Sequence, residues 1–235
     1  MGLNHSPSIV TNGLVLCLDA GNTKSYSGSG SIVNDLSTYK TNATIYQATY
    51  QSGYFLFDGV DDNIYISSPI TNAPQLYNLT NILTQEVIFY PASTGGDDTP
   101  ALVRCGLGGD LSFGFLFDRI NSRVFFHWYD GTFQSSYSSN NIVTLDAWNS
   151  ITIVRNASNV SFYANGIFIN TNTGITNPTV SPGNIGFGAA RSGTTVGTTG
   201  QDLAGRIASI KIYNKALSGV EVLQNFNALR GRFGI

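Results

Sequence analysis

Short apolar runs recur along the whole chain, and clusters of turn-forming residues separate them. Runs spaced by roughly eight to twelve residues are typical of an all-β sandwich or barrel. The predicted strands are Leu14–Asp19, Tyr54–Asp58, Asn63–Ser67, Ile82–Tyr90, Ala101–Cys105, Leu111–Asp118, Arg123–Tyr129, Phe133–Ser138, Trp148–Arg155, Val160–Ala164, Ile167–Asn170, Asn184–Gly188 and Ala204–Tyr213. No linker, charge block or repeat divides the chain, so we expect an N-terminal arm (residues 1–12) and a single domain (13–235).

Two β-hairpins follow from turn dipeptides between alternating strands. The stretch SFYANGIFIN places Asn165-Gly166 at a turn, and HWYDGTFQ does the same with Asp130-Gly131. Asn-Gly and Asp-Gly tolerate the positive φ angles that a type I′ turn requires. We therefore predict tight hairpins at both positions.

One helix is predicted near the C-terminus. The segment that starts at Ser218 has the spacing of a capping box, in which Ser218 and Glu221 bind each other's backbone N–H groups. Val222, Leu223, Phe226 and Leu229 then recur at helical spacing. Gly231 is positioned to end the helix, and Arg230 suits the negative end of the helix dipole.

Composition and charge exclude several classes of protein. Charged residues make up 11% of the chain, against about 25% in typical globular domains. The net charge is −2 and the basic residues are scattered, so nucleic-acid binding is not expected. No apolar run approaches the roughly 18 residues of a membrane span, and MGLNHSPSIV lacks the features of a signal peptide. Cys17 and Cys105 lie in predicted strands, where we expect buried thiols.

Three aspartates crowd the stretch YFLFDGVDDNIYISS at residues 54–68. Asp58-Gly59 is a turn dipeptide, and Asp61 and Asp62 favour turns through local hydrogen bonds. A structural turn is therefore the first interpretation. A calcium site formed with oxygens of other loops is the second, and a catalytic carboxylate pair is the third.

Few side chains are available for catalysis. Glycoside hydrolysis usually uses two carboxylates on either side of one bond, and this chain has two glutamates, Glu86 in a strand and Glu221 in the helix cap. A depolymerase would have to use aspartates, of which Asp118 and Asp130 are the least implausible pair. The two histidines are too far apart in sequence to suggest a zinc site. We expect no enzymatic activity and no cofactor.

The aromatic stretch VFFHWYDGTFQSSY offers a different kind of chemistry. Trp128 and Tyr129 are neighbours in a strand and point to opposite faces of the sheet. One of the two rings could therefore be exposed as a platform on which a sugar stacks. The alternative is that these aromatic side chains fill the core.

Several motifs resemble those of one family. FDGVDDNIYI, WNSITIVRNASNVSFYANGIFINT and IASIKIYNKALSGVEV are similar to hairpin and closing motifs of laminin-G-like, concanavalin A-like jelly-roll domains. The two ends, GLVLCLDAGNTKSYSGSGSIVNDLS and VLQNFNALRGRFGI, resemble versions of this domain in virion proteins of tailed bacteriophages. The resemblance implies an all-β, two-sheet antiparallel jelly-roll sandwich with one short C-terminal helix.

The resemblance also carries expectations about function. Many relatives have acidic residues before the IYN motif that can serve a calcium site, whereas the matching residues here, 207–210, read Ile-Ala-Ser-Ile. We expect a non-catalytic structural protein on a phage virion, as head decoration or tail-associated. It would be assembled in the host cytoplasm, with other virion proteins as partners and self-association left open. The alternative is a lectin-like adhesin that binds host surface glycans on the concave sheet through Trp128 or Tyr129.

Overall fold

The computed structural model describes residues 7–67, 74–76, 79, 81–106, 113–179, 184–192, 195–196 and 201–235. Its strands are β1 Leu14–Asp19, β2 Ile32–Val33, β3 Ala43–Tyr46, β4 Thr49–Gln51, β5 Tyr54–Asp58, β6 Asn63–Ile66, β7 Ile82–Pro91, β8 Ala101–Cys105, β9 Phe113–Asp118, β10 Arg123–Tyr129, β11 Phe133–Tyr137, β12 Asn149–Asn156, β13 Asn159–Ala164, β14 Ile167–Asn172, β15 Ile185–Phe187, β16 Arg191–Ser192, β17 Thr195–Val196 and β18 Ala204–Tyr213. Helix α1 spans Gly219–Leu229, and short 3-10 turns lie at Pro74–Leu76 and Arg230–Arg232.

Two antiparallel sheets form the sandwich. The first has the order β14-β13-β12-β7-β18-β5-β4, and β1 also pairs with β18. The second has the order β11-β10-β9-β8-β15-β6-β3-β2. The fold class predicted from the sequence is confirmed, including the single short helix near the C-terminus.

Alternation along each strand builds the core between the sheets. In β10, Val124, Phe126 and Trp128 belong to the core cluster, so the residues between them face the other way. In the first sheet, Val87 and Phe89 of β7 face inward in the same manner. Both cysteines are buried thiols, as predicted, and burial raises the pKa of Cys17 to about 11.

The predicted strands are all present, with bounds that differ by a few residues at most. The strand predicted at Leu111–Asp118 begins outside the described residues, and its described part is β9. The Asn165-Gly166 turn has the expected positive φ angles, 49° and 76°. At the other hairpin only Gly131 has a positive φ (112°). Residues 130–132 connect β10 to β11 there, so the predicted type I′ geometry is wrong at that turn.

Helix α1 starts as predicted, with Ser218 and Glu221 forming a complete capping box. It ends at Leu229 and continues into a 3-10 turn that contains Gly231. Arg230 is the C-cap, so Gly231 follows the end of the helix directly, as predicted, although it has no positive φ and lies in the 3-10 turn. No helix in the described part of the chain combines the length and apolarity that a membrane crossing requires.

A buried polar network lies beneath α1, on the outer face of the first sheet. Asn225 accepts a hydrogen bond from the Val10 N–H (2.7 Å) and donates to Glu86 Oε2 (2.7 Å) and Tyr213 Oη (2.9 Å). Lys211 Nζ lies 3.6 Å from the same Glu86 oxygen. Burial raises the pKa of Glu86, although Lys211 opposes that effect. The described end of the N-terminal arm is thereby fixed to the helix and the sheet.

Candidate functional site: an aromatic face on the second sheet

Strands β10 and β11 place a row of rings on the outer face of the second sheet. Their register sets Phe125 opposite Tyr137, His127 opposite Ser135 and Tyr129 opposite Phe133. Ring centroids are 4.9 Å apart for Phe125 and Tyr137, and 5.1 Å for Tyr129 and Phe133. His127 joins the two pairs, because its ring centroid lies 5.9 Å from that of Phe125 and 5.5 Å from that of Phe133. We call the connected cluster of Phe125, His127, Tyr129, Phe133 and Tyr137 the aromatic face.

Exposure differs along the aromatic face. Phe133 is 54% exposed and Tyr137 is 37% exposed, whereas Phe125 is buried. Tyr129 and His127 are half-buried. The rings that a ligand can reach thus lie toward β11, and Phe125 supports them from below.

Trp128 is not part of this face. Its side chain is 4% exposed and belongs to the core between the sheets, and its Nε1–H donates to Thr176 Oγ1 at 3.0 Å. The expectation that Trp128 serves as a stacking platform is wrong, because the alternation of β10 points it inward. Of the predicted pair, Tyr129 is the ring that a ligand can reach.

His127 is a neutral member of the cluster. Its ring stacks on Phe133 at 5.5 Å with an interplanar angle of 7°, and Nδ1 lies 2.9 Å from Ser135 Oγ. Burial lowers the pKa of His127 to about 4, and the nearby Arg104 guanidinium contributes to that effect. Near neutral pH the imidazole therefore acts as an uncharged aromatic ring that also offers a hydrogen-bonding nitrogen.

Polar groups surround the rings. Arg123 lies over the Tyr137 ring at 4.1 Å and forms an ion pair with Asp118 at 2.8 Å. At the opposite end of β10, Gln134 donates to the half-buried Asp130 at 3.4 Å. An apolar patch with a few placed polar groups is the usual chemistry of a ligand site. The aromatic face can stack on the apolar face of a ligand and bind its hydroxyl groups at the rim.

The carboxylates nearest the aromatic face do not form a catalytic pair. Asp118 pairs with Arg123 at the start of β10, and Asp130 directly follows the end of that strand. A strand rises about 3.3 Å per residue, so these two groups are roughly 20 Å apart. Two glycosidase carboxylates lie about 5 to 9.5 Å apart. The Asp118–Asp130 pair considered from the sequence is thus ruled out.

Hydrogen bonds also keep both carboxylates ionised. Burial would raise the pKa of Asp118, but hydrogen bonds from Asn121 and Arg123 outweigh burial and the pKa is lowered. A hydrogen bond from Thr176 is the main reason that the pKa of Asp130 is lowered. Neither group is suited to donate a proton near neutral pH.

The aspartates at 58–62 form the predicted turn. The Asp58 N–H donates to Asp62 Oδ2 at 2.9 Å, and the Val60 N–H donates to Asp58 Oδ1 at 2.8 Å. Burial raises the pKa of Asp62. The turn interpretation of this stretch is confirmed by these bonds.

The same three carboxylates could contribute to a cation site. One oxygen each of Asp58, Asp61 and Asp62 lies within 4.8 Å of the others. Calcium takes about six to eight oxygens, and the carboxylates of Asp58 and Asp62 already accept hydrogen bonds within the turn. The three residues do not complete a calcium site by themselves. The expectation of no cofactor, with calcium as the alternative, stays a prediction.

Phe133, Tyr137 and His127 were missed as site residues at the level of sequence. The sequence does contain a pattern that indicates these residues, since a hairpin centred on Gly131 pairs Tyr129 with Phe133 and Phe125 with Tyr137. The alternating pattern of β10 does not show which face of the strand packs against the core. The structure supplies that orientation.

Comparisons with known proteins agree with this architecture. The family model described as "Concanavalin A-like lectin/glucanases superfamily" (Laminin_G_3) matches residues 58–223. A search of curated protein sequences finds no match.

Solved structures are similar over nearly the whole chain. Trypanosoma rangeli sialidase in complex with sialic acid has a TM-score of 0.68 at 18% identity, covering 94% of this chain and 34% of the sialidase. The binding domain of botulinum neurotoxin DC, solved with rat synaptotagmin II, has a TM-score of 0.68 at 16% identity, covering 94% of this chain and 52% of the toxin domain. This chain thus spans only a third to a half of those chains, and at such identity the likeness shows the fold alone.

Proposed function

This chain belongs to the concanavalin A-like lectin/glucanase superfamily, and we propose that it is a non-catalytic, lectin-like domain that binds glycans on its aromatic face. One observation carries the proposal: the connected row of outward rings, with Phe133 54% exposed at its accessible end. Exposed large aromatic side chains in a cluster mark interaction sites. Hydroxyl, amide and guanidinium groups at the rim suit a ligand rich in hydroxyls.

The non-catalytic part of the proposal is supported by the state of the two glutamates. Glu86 is buried beneath α1 and bonded to Asn225 and Thr152. Glu221 caps the helix and pairs with Lys215. Both glutamates are thus already engaged in structural roles, away from the aromatic face.

A glycan microarray tests the proposal. We expect the wild-type domain to bind a defined subset of glycans, and Phe133→Ala to weaken that binding by about tenfold, equivalent to 1.4 kcal/mol. Phe168→Ala is the matched control, because Phe168 is similarly exposed (53%) but lies on β14 of the other sheet. Equal binding by wild type and Phe133→Ala would show that the aromatic face is not the site.

The placement on a phage virion, expected from the two ends of the chain, stays a prediction. A glycan-binding domain on a particle would gain avidity from many copies, so an adhesin and a virion component are compatible. Mass spectrometry and immunogold labelling of purified particles would test the placement. Many copies over the capsid would support head decoration, a few at the tail tip would support an adhesin, and absence from particles would refute both placements.

A further inference from the structure

A concave site lies on the first sheet, away from the aromatic face. A pocket of about 440 Å³ lies between the β4–β5 turn and the segment after α1. Tyr50, Tyr54, Trp148 and Phe233 contribute rings to its lining, and Ser52 and Arg232 contribute polar groups. We call it the tail pocket. Its volume falls in the range of small-molecule sites, roughly 300 to 1,000 Å³.

The rings of the tail pocket are held in place by their neighbours. Trp148 contacts Phe233 at 4.8 Å and Tyr54 at 5.6 Å between ring centroids. The Arg206 guanidinium lies over the Tyr54 ring at 5.1 Å. Tyr50 packs on Phe55 at 5.7 Å. The aromatic walls are therefore preorganised, which reduces the entropy lost when a ligand binds.

A bidentate ion pair fixes the polar side of the tail pocket. Arg232 donates from Nη1 to Asp19 Oδ2 at 2.8 Å and from Nη2 to Asp19 Oδ1 at 2.9 Å. The guanidinium packs so closely on Gly21 that a Cβ there would lie 1.9 Å from Nη2. A guanidinium has five N–H donors, so the pair with Asp19 leaves donors that a ligand can use.

The charge balance indicates the kind of ligand. Asp19 already neutralises Arg232, and a carboxylate on the ligand would approach the guanidinium within a few ångströms of a second carboxylate. Like charges at such a distance repel, most strongly where water is excluded. A hydroxyl oxygen accepts the same N–H donors without that cost. Flat ring walls together with hydroxyl-accepting donors match an uncharged sugar.

We propose that the tail pocket binds a single uncharged hexopyranose unit. The C–H face of the sugar stacks on Trp148, and the Tyr54 ring, inclined by 63° to Trp148, contacts the edge of the sugar. The hydroxyl groups of the sugar accept hydrogen bonds from Arg232. This inference does not rest on the aromatic face, which lies on the other sheet. A ligand of this size is expected to bind with a dissociation constant of a few millimolar, roughly.

Two-dimensional ¹H–¹⁵N NMR of the intact chain offers a direct test. The protein has two tryptophans, of which Trp128 is buried in the core and Trp148 lines the tail pocket. Titration with glucose, galactose, mannose or N-acetylglucosamine should shift the Trp148 indole signal with saturation and leave that of Trp128 unchanged. Trp148→Phe assigns the signal. No saturable shift with any of the four sugars would overturn the proposal.

Variants separate the tail pocket from the aromatic face. Arg232→Lys should weaken hexose binding at least tenfold, because an ammonium cannot serve Asp19 and the ligand with the geometry of a guanidinium. Phe133→Ala should leave the hexose affinity measured at the Trp148 indole unchanged, because Phe133 lies on the other sheet. The reverse pattern would place the sugar on the aromatic face, and glucuronate binding as tightly as glucose would refute the uncharged ligand. Because the indole titration uses the wild-type chain, the test holds even if Arg232→Lys disturbs folding.

Discussion

Replacing Asn225 with alanine should destabilise the fold far more than any nearby surface change. Asn225 is 2% exposed, and its amide links the Val10 N–H, the Glu86 carboxylate and the Tyr213 hydroxyl. Alanine removes all three bonds at once. It also leaves the buried carboxylate of Glu86 without its closest hydrogen-bond partner, the Asn225 side-chain amide at 2.7 Å.

The magnitude follows from the type of each bond. A neutral hydrogen bond contributes about 1 kcal/mol net, and one to a charged group contributes about 2 kcal/mol. We therefore expect Asn225→Ala to lower the free energy of unfolding by about 4 kcal/mol. That is a large share of the roughly 5 to 15 kcal/mol that stabilises a typical domain.

Urea unfolding followed by circular dichroism measures this loss. Gln224→Ala is the matched control, because Gln224 lies on the same helix and donates to the Ser8 carbonyl at an exposed site. We expect the control to cost under about 0.5 kcal/mol. A loss below about 1 kcal/mol for Asn225→Ala would refute the view that the network is a strong tie between arm, helix and sheet.

Three further predictions concern pH, packing and thiol chemistry. Burial holds the pKa of His127 at about 4, below the ordinary 6.5. As the pH falls, His127 is therefore protonated in the unfolded chain before it is protonated in the folded protein. The free energy of unfolding should decrease by about 2 kcal/mol between neutral pH and about pH 4.5. Urea midpoints should show a smaller drop for His127→Gln. Gly188 has a φ of +79°, and a Cβ at this position would lie 2.2 Å from the Phe57 ring. Gly188→Ala should therefore lower the free energy of unfolding by about 3 kcal/mol, measured by thermal unfolding. Gly131→Ala has open space around it, but its φ is +112°, so it should lower the free energy of unfolding by about 1 to 2 kcal/mol. Because burial raises the pKa of the Cys17 thiol to about 11, DTNB should react with it only after denaturant is added, and rapid reaction of the native protein would contradict this.

Local patterns were enough to predict most strands. A run such as Leu14–Asp19 is apolar throughout and bounded by turn residues, and its predicted bounds match the structure. Strands β2, β3 and β4 were missed because they have only two to four residues and no continuous apolar run. Tertiary pairing, not local preference, makes those segments strands.

Helix α1 shows where periodicity alone fails. The helical spacing correctly placed Val222 and Phe226 on the buried side. It also placed Leu223 there, yet Leu223 is 44% exposed while the polar Asn225 is buried. Asn225 is buried because Glu86 and the arm supply its hydrogen-bond partners, and no pattern within the helix reveals them.

The candidate sites were predictable only in part. The sequence indicated an aromatic strand and named Tyr129, but strand alternation cannot tell which face meets the core. The tail pocket was not predicted, because Ser52, Trp148 and Arg232 come from distant parts of the chain. The pairing of β5 with β18, of β18 with β7 and of β7 with β12 brings Ser52 and Trp148 together.

The most direct test of the central claim is to map a bound glycan onto the protein. ¹⁵N-labelled domain would be titrated with the glycan that binds best on the array, and backbone amide shifts followed by NMR. We predict that the shifts cluster in β10 and β11, around Tyr129, Phe133 and Tyr137. Shifts confined to other strands, with the amide signals of β10 and β11 unchanged, would contradict glycan binding on the aromatic face.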